Sequence, residues 1–93
     1  MSKRVSTKVA ITNRLGLHAR PAMCFVDAAT PFKSEITVCR AGSASPVDGK
    51  SIMQMMMLAA TKGTELEIVA EGEDAQAACD ALHKLVQSGF DEE

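Results

Sequence analysis

The chain has no tryptophan, no tyrosine and only three phenylalanines. That poverty removes the aromatic platforms on which proteins stack unpaired bases. An excess of positive charge is also missing. Ten lysines and arginines are set against twelve aspartates and glutamates, a net charge of −2, whereas nucleic-acid binders present a basic surface. No nucleic-acid partner is expected. The longest unbroken apolar run, Met55 to Ala60, is far short of the roughly 20 residues that span a bilayer. The basic start Met1-Ser2-Lys3-Arg4 leads into alternation rather than the apolar block of a secretory signal. No membrane insertion is expected, and the cytoplasm is the expected location. Cysteine is scarce too: Cys24, Cys39 and Cys79 are odd in number, widely spaced and in no CxxC pair. They read as reduced thiols rather than a disulfide framework. With only His18 and His83 to join them, no metal site is expected, and no organic cofactor is called for.

What is present suits one modest core. Ninety-three residues, 46% of them hydrophobic, make a single domain over 1–93, ending in a short acidic tail at about 89–93. A monomer is expected. Val5, Thr7, Val9 and Ile11 alternate with Ser6, Lys8, Ala10 and Thr12, the period of a half-buried strand. A second alternation after Pro31 puts Phe32, Ser34, Ile36 and Val38 on one side. Arg40-Ala41-Gly42-Ser43 reads as a turn, with Ala44 to Val47 returning as a weak strand that Pro46 confines to an edge or a bulge. Ser51 and Gln54 have the spacing of a capping box, opening a short helix through about Leu58. Thr64 to Glu71 alternates again, with Leu66, Ile68 and Ala70 inward. Asp74 is placed to cap a last helix whose apolar stripe is Ala75, Ala78, Cys79, Leu82, Leu85 and Val86, with His83 on its wet face and Gly89 as its stop. The order βαββαβα predicts an α+β domain with an antiparallel sheet, wet on one face and covered by helices on the other.

The chemistry concentrates in Gly16-Leu17-His18-Ala19-Arg20-Pro21. Glycine ends the strand-like run, and Pro21 suits the first turn of a helix because its φ is already near helical. The helix continues through Ala29 and stops before Pro31. His18 then falls at or beside the N-cap, where first-turn N–H groups and the positive end of the dipole favour an anion. Arg20 adds a permanent charge with a fork suited to phosphate oxygens. A histidine that merely starts a helix is the bland alternative. An imidazole beside an anion site is also what a transient phosphohistidine needs.

This hexapeptide, together with the serine of Gly49-Lys50-Ser51-Ile52-Met53, resembles the HPr family, the small phosphocarriers of the phosphoenolpyruvate phosphotransferase system. The likeness runs from Val5 to about Ser88. It implies an open-faced β-sandwich, a four-stranded antiparallel sheet with three helices on one face. It implies that His18, through Nδ1, accepts a phosphoryl group from the phosphohistidine of Enzyme I and passes it to a IIA-type protein or domain. Arg20 would act beside it, with Gly16, Ala19 and Pro21 shaping the phosphate site. Such a chain is a phosphoryl carrier rather than a stand-alone enzyme. Ser51 corresponds to the family's regulatory serine, a target of a serine kinase/phosphorylase, although serine is also simply a favoured N-cap. Leu17, Ile52, Met53 and Met56 would contribute to partner binding, while Met55 and Leu58 share the opposite, core-facing side of the short helix. The alternative function is a regulatory binding module of the nitrogen branch or of catabolite control, switched at His18 or Ser51. Leu15 and the tail Ser88-Gly89-Phe90-Asp91-Glu92-Glu93 look like nitrogen-branch members, and the surroundings of Ser51 look like kinase-regulated carriers. Leu15 has no side-chain hydrogen bond to offer the histidine, which leaves any such role to Asn13 or the backbone.

Overall fold

The three alternating segments and part of the weak one become strands in the computed structural model, which describes residues 3–91. They are β1 (Lys3–Ala10), β2 (Glu35–Arg40), β3 (Val47–Asp48) and β4 (Glu65–Gly72), in the sheet order β1-β4-β2-β3. All neighbouring pairs are antiparallel. The last long strand therefore lies inside the sheet, paired to β1 from Lys3↔Gly72 to Ala10↔Glu65 and to β2 from Glu35↔Glu71 to Arg40↔Leu66. One residue in two along β4 is apolar and buried (Leu66, Ile68, Ala70), matched by Ile36 and Val38 on β2 and Val9 on β1. Lys8, Glu35, Glu65 and Glu71 occupy the opposite, exposed face.

Three helices cover the apolar face: α1 (Ala19–Ala29), α2 (Ile52–Met57) and α3 (Ala75–Gln87). The stripe on α3 buries Ala75, Ala78, Cys79, Leu82 and Val86 against β1 and β4. Helix α1 buries Pro21, Ala22, Phe25, Val26 and Ala29, and meets both α2 and α3. The chain thus has the open-faced β-sandwich fold that the family resemblance implies. Burial holds the Cys79 thiol above its ordinary value, so it remains a protonated core residue. All three cysteines are free.

Several local expectations differ from the structure. The weak strand expected at Ala44–Val47 shrinks to Val47–Asp48, because Pro46 has no N–H for the ladder and only Thr37↔Asp48 and Val38↔Val47 pair. Asp74 stands at the N-cap of α3, yet its carboxylate does not cap that helix. It accepts instead from the N–H of Lys33 at 2.8 Å, the N–H of Ser34 at 2.9 Å and the Ser34 hydroxyl. One carboxylate thereby ties the start of α3 to the entry of β2, and Ser34 can be buried because its hydroxyl is satisfied. His83 is half-buried rather than wet, its Nδ1 lying 2.9 Å from the Thr7 hydroxyl of β1. The expected acidic tail begins instead as a packed turn, Gly89–Asp91. Phe90 there is 4% exposed and joins the core at a φ of 59°. Glu92 and Glu93 lie outside the described residues.

The Ser34 hydroxyl and the Lys33 amide hold the Asp74 carboxyl below its ordinary value. A depressed carboxyl stabilises the fold above its unfolded pKa, about 4, and that contribution is lost as pH falls through the lower folded value. Asp74→Asn is therefore expected to melt below wild type at neutral pH. The gap between the two melting temperatures should close as the buffer is acidified below that range, which paired thermal melts will read.

Candidate functional site

The segment ahead of α1 is bound to the backbone just past α2. Leu17 N–H donates to the Ala60 carbonyl at 2.8 Å, and His18 N–H donates back to Gly16 O at 3.1 Å. Gly16 has a φ of +73°, and a Cβ placed on it would meet Ala60 O at 2.5 Å and the Thr61 Cα at 2.9 Å. Only glycine permits both that left-handed turn and that approach. Behind it the Asn13 side chain donates to Gly16 O at 2.7 Å, so the position that Leu15 cannot support is held from within.

His18 is the N-cap residue of α1, with extended backbone (φ −89°, ψ −170°) and a half-buried side chain. The helix's own ladder begins with Ala22 N–H donating to His18 O at 3.0 Å. The amides of Ala19 and Arg20 precede that ladder, at the positive end of the helix dipole. Pro21 follows them and has no N–H, so its part is conformational: it fixes the first turn and is itself buried. Arg20 is exposed. Gly16, His18, Ala19, Arg20 and Pro21 therefore lie together at an anion-favouring helix start. Leu17 does not belong to its surface. At 5% exposed it points into the core, which corrects its expected role as a partner contact and makes it the anchor under the loop.

Ser51 caps α2, its hydroxyl accepting from Gln54 N–H at 3.2 Å. The reciprocal half of the expected capping box is not made. Gln54 Oε1 accepts from Asp48 N–H at 2.9 Å, while Ser51 N–H donates to Asp48 O at 3.1 Å. Lys50 Nζ reaches Phe32 O at 2.6 Å and fixes the same turn. Ser51 is thus at the far end of α2 from Ala60, about 9 Å of helix away from the segment that carries the His18 loop. Within α2, Met55 is buried, and Leu58 just beyond it is also buried, whereas Ile52, Met53, Met56 and Met57 are exposed, Met53 at 81%. Met57 extends the expected patch. It follows Met53 by four residues, a spacing visible in the sequence. Leu15, 67% exposed, and Met23 on α1 add further apolar surface. No group of three His, Cys, Asp or Glu that could hold a metal occurs among the described residues.

Residues 5–88 match the family described as "PTS HPr component phosphorylation site". The chain belongs to the HPr family. Among curated relatives it is similar to the phosphocarrier protein HPr of Pseudomonas aeruginosa, 48% identical over 91% of this chain and 93% of that one. It is also similar to the phosphocarrier protein NPr of Proteus mirabilis, at 42% identity over 92% and 94%. Among solved structures, HPr of Thermoanaerobacter tengcongensis superposes with a TM-score of 0.89 at 40% identity, covering 96% of this chain and 98% of that one. HPr-type and NPr-type relatives thus both match across the same length.

Gly16→Ala should cost more than about 2 kcal/mol, since a left-handed penalty of about 1–2 kcal/mol is joined by a backbone clash. Gly42→Ala, at a φ of +86° with nothing within 4 Å of its Cβ, should lose only the first part, about 1 kcal/mol. Chemical denaturation of both variants makes the comparison; equal losses would show that the Gly16 loop yields to the methyl.

Proposed function

We propose that this chain is a phosphoryl carrier of the phosphotransferase system, with His18 as the residue that is phosphorylated. The observation that carries this reading is the placement of His18 at the N-cap of α1, ahead of the Ala19 and Arg20 amides, inside the matched family region. The Nδ1 lone pair attacks phosphorus while the P–N bond to the donor histidine of Enzyme I breaks, and the donor nitrogen leaves with that electron pair. The second transfer repeats the exchange, with His18 now the leaving group and a histidine of a IIA-type protein or domain the acceptor. The first-turn amides and Arg20 meet the charge on the transferring group, whose loose transition state needs positioning and electrostatics more than covalent help. Gly16 and Pro21 set the turn in which this happens. The setting we assign is the cytoplasm, and no helix among the described residues is long and apolar enough to cross a membrane.

Incubation with phosphoenolpyruvate, Mg²⁺ and Enzyme I should give an acid-labile, base-stable phosphoprotein, and His18→Ala should give none. Undiminished labelling of His18→Ala would remove the carrier reading.

Partner docking is assigned to the exposed side of α2 (Ile52, Met53, Met56, Met57) together with Leu15 and Met23, six exposed apolar side chains. Ser51 lies at the edge of that patch as the cap of the same helix, which supports a regulatory role beside its structural one. Met53→Glu should weaken Enzyme I binding about tenfold or more while shifting stability by no more than about 0.5 kcal/mol. Ser51→Asp should keep the fold and slow transfer to His18, whereas Ser51→Ala should transfer normally and lose about 1 kcal/mol of helix cap. Titrations and melts on the same samples decide: a collapse of the Met53→Glu fold would place Met53 in the core, and equal transfer by Ser51→Asp and wild type would leave Ser51 a cap alone.

A further inference from the structure

Asn13 and Ser34 are the buried polar side chains among the described residues. Asp74 accounts for the burial of Ser34. Asn13 is 1% exposed, and its amide reaches the Gly16 peptide group. Its Nδ2 donates to Gly16 O at 2.7 Å, and the same carbonyl accepts from His18 N–H at 3.1 Å. Gly16 N–H returns to the Asn13 carbonyl at 3.2 Å. The other end of the Gly16–Leu17 peptide is held as well, by Leu17 N–H donating to Ala60 O at 2.8 Å. Only Leu17 separates that peptide from His18, so its rotation would change the direction in which the imidazole leaves the chain.

The C-terminal turn closes over this arrangement. A Cβ on Gly89 would lie 3.6 Å from the Asn13 Cβ and 3.4 Å from Thr12 Oγ1. The Thr12 hydroxyl donates to Gln87 O at 3.3 Å, and Phe90 seals the turn into the core. The amide-to-carbonyl bond is therefore made away from water, where it is strong and its loss is costly. An apolar residue of similar size would fill the same space without the cost of burying a carboxamide. What the amide adds is a bond that orients the Gly16–Leu17 peptide.

We infer that Asn13 is a positioning residue for phosphoryl transfer at His18, acting through the Gly16 carbonyl. This rests on the reading of His18 as the phosphoryl acceptor. Asn13 does not touch the phosphoryl group; it holds the turn from which the ring approaches in line. A displacement of about 1 Å in such an approach can cost about a hundredfold in rate.

Asn13→Leu keeps the branching and the number of side-chain heavy atoms and removes the donor. Labelling from phosphoenolpyruvate through Enzyme I should show kcat reduced about ten- to a hundredfold with KM within about twofold, since the docking residues are untouched. Val38→Ala, a cavity in the sheet core, serves as the stability control and should keep kcat within about twofold. In NMR spectra of the unphosphorylated proteins the His18 ring signals should move in Asn13→Leu while those of His83 stay in place. The inference is overturned if kcat of Asn13→Leu stays within about twofold of wild type, if Val38→Ala loses as much, or if the His18 signals do not move. Should Asn13→Leu fail to fold, Asn13→Ser is read by the same criteria. Wild-type protein that takes no label, or His18→Ala that takes it, would sink the carrier reading instead. The ring signals then still decide whether Asn13 orients His18.

Discussion

The backbone of Gly16 lies against the carbonyl of Ala60 with no room for a side chain between them. Much of the functional surface depends on that contact. It joins the segment entering α1 to the segment leaving α2, so the two helices that border His18 are fixed through main chain rather than through adjustable side chains. Leu17 drives into the core directly beside the contact and makes it expensive to open, since full burial of a leucine is worth about 1.5–3 kcal/mol. The bond from Leu17 N–H to Ala60 O then has a fixed length, 2.8 Å, in a place where solvent cannot easily compete. Ala59, just before it, sits at a φ of 49°, a conformation unfavourable for a residue with a side chain. The chain accepts that local strain to bring Ala60 to the loop.

Helix α2 is too short to persist by itself. Six residues fall well below the length at which isolated helices form in water, about 12–15 residues. It exists because both ends are tied and one face is buried. Ser51, Gln54 and Asp48 make the N-terminal turn, Lys50 fastens it to Phe32 O, and Met55 and Leu58 enter the core. This division of labour explains the sequence of methionines. One of the four methionines in 53–57, Met55, is spent on stability, while Met53, Met56 and Met57 remain outside, where unbranched and polarizable side chains suit contact with more than one partner surface. The same construction lets Ser51 cap the helix without conflicting with the regulatory role proposed for it. A group added at the cap meets the positive end of the helix and does not have to unfold it.

How much of this was legible in the sequence depended on the range of the interactions involved. The alternations of Val5–Ile11, Phe32–Val38 and Thr64–Glu71, and the stripe of α3, report burial of one face directly, and the sheet and helices follow from them. The hexapeptide marked the site because its turn and helix start are local chemistry. Expectations failed where a side chain had a choice of partners. Asp74 has the right spacing to cap α3, but the amides of Lys33 and Ser34, about forty residues away in sequence, offer it more bonds. Gln54 answers Asp48 rather than closing its own capping box. Leu17 and Phe90 sit in stretches that read as site and tail, and only the folded neighbours show that both are core. Asn13 carried no pattern of its own, because its Nδ2 donates to a carbonyl whose position is set by the folded contact between Gly16 and Ala60.

The exposure of the site sets the strength with which it can hold a phosphoryl group. His18 is half-buried and Arg20 exposed, at the start of a helix that opens to solvent. A pair of charges about 4 Å apart in bulk water interacts by only about 1 kcal/mol, against several times that at lower effective dielectric. A dianionic group on His18 would therefore be steadied by the helix start and the guanidinium, each worth about 1 kcal/mol under such screening. Deep burial of the same groups would hold the phosphoryl group far more tightly and would slow its departure. An open site lets a docked partner supply the missing exclusion of water at the moment of transfer, when the same charges gain strength as the dielectric falls. The exposed apolar side chains of Leu15, Met23 and α2 are the surface proposed for such a partner. Weak holding in isolation and stronger electrostatics in the complex are then two consequences of one geometry: a histidine at a solvent-facing helix start, anchored by the buried residues Asn13, Gly16 and Leu17.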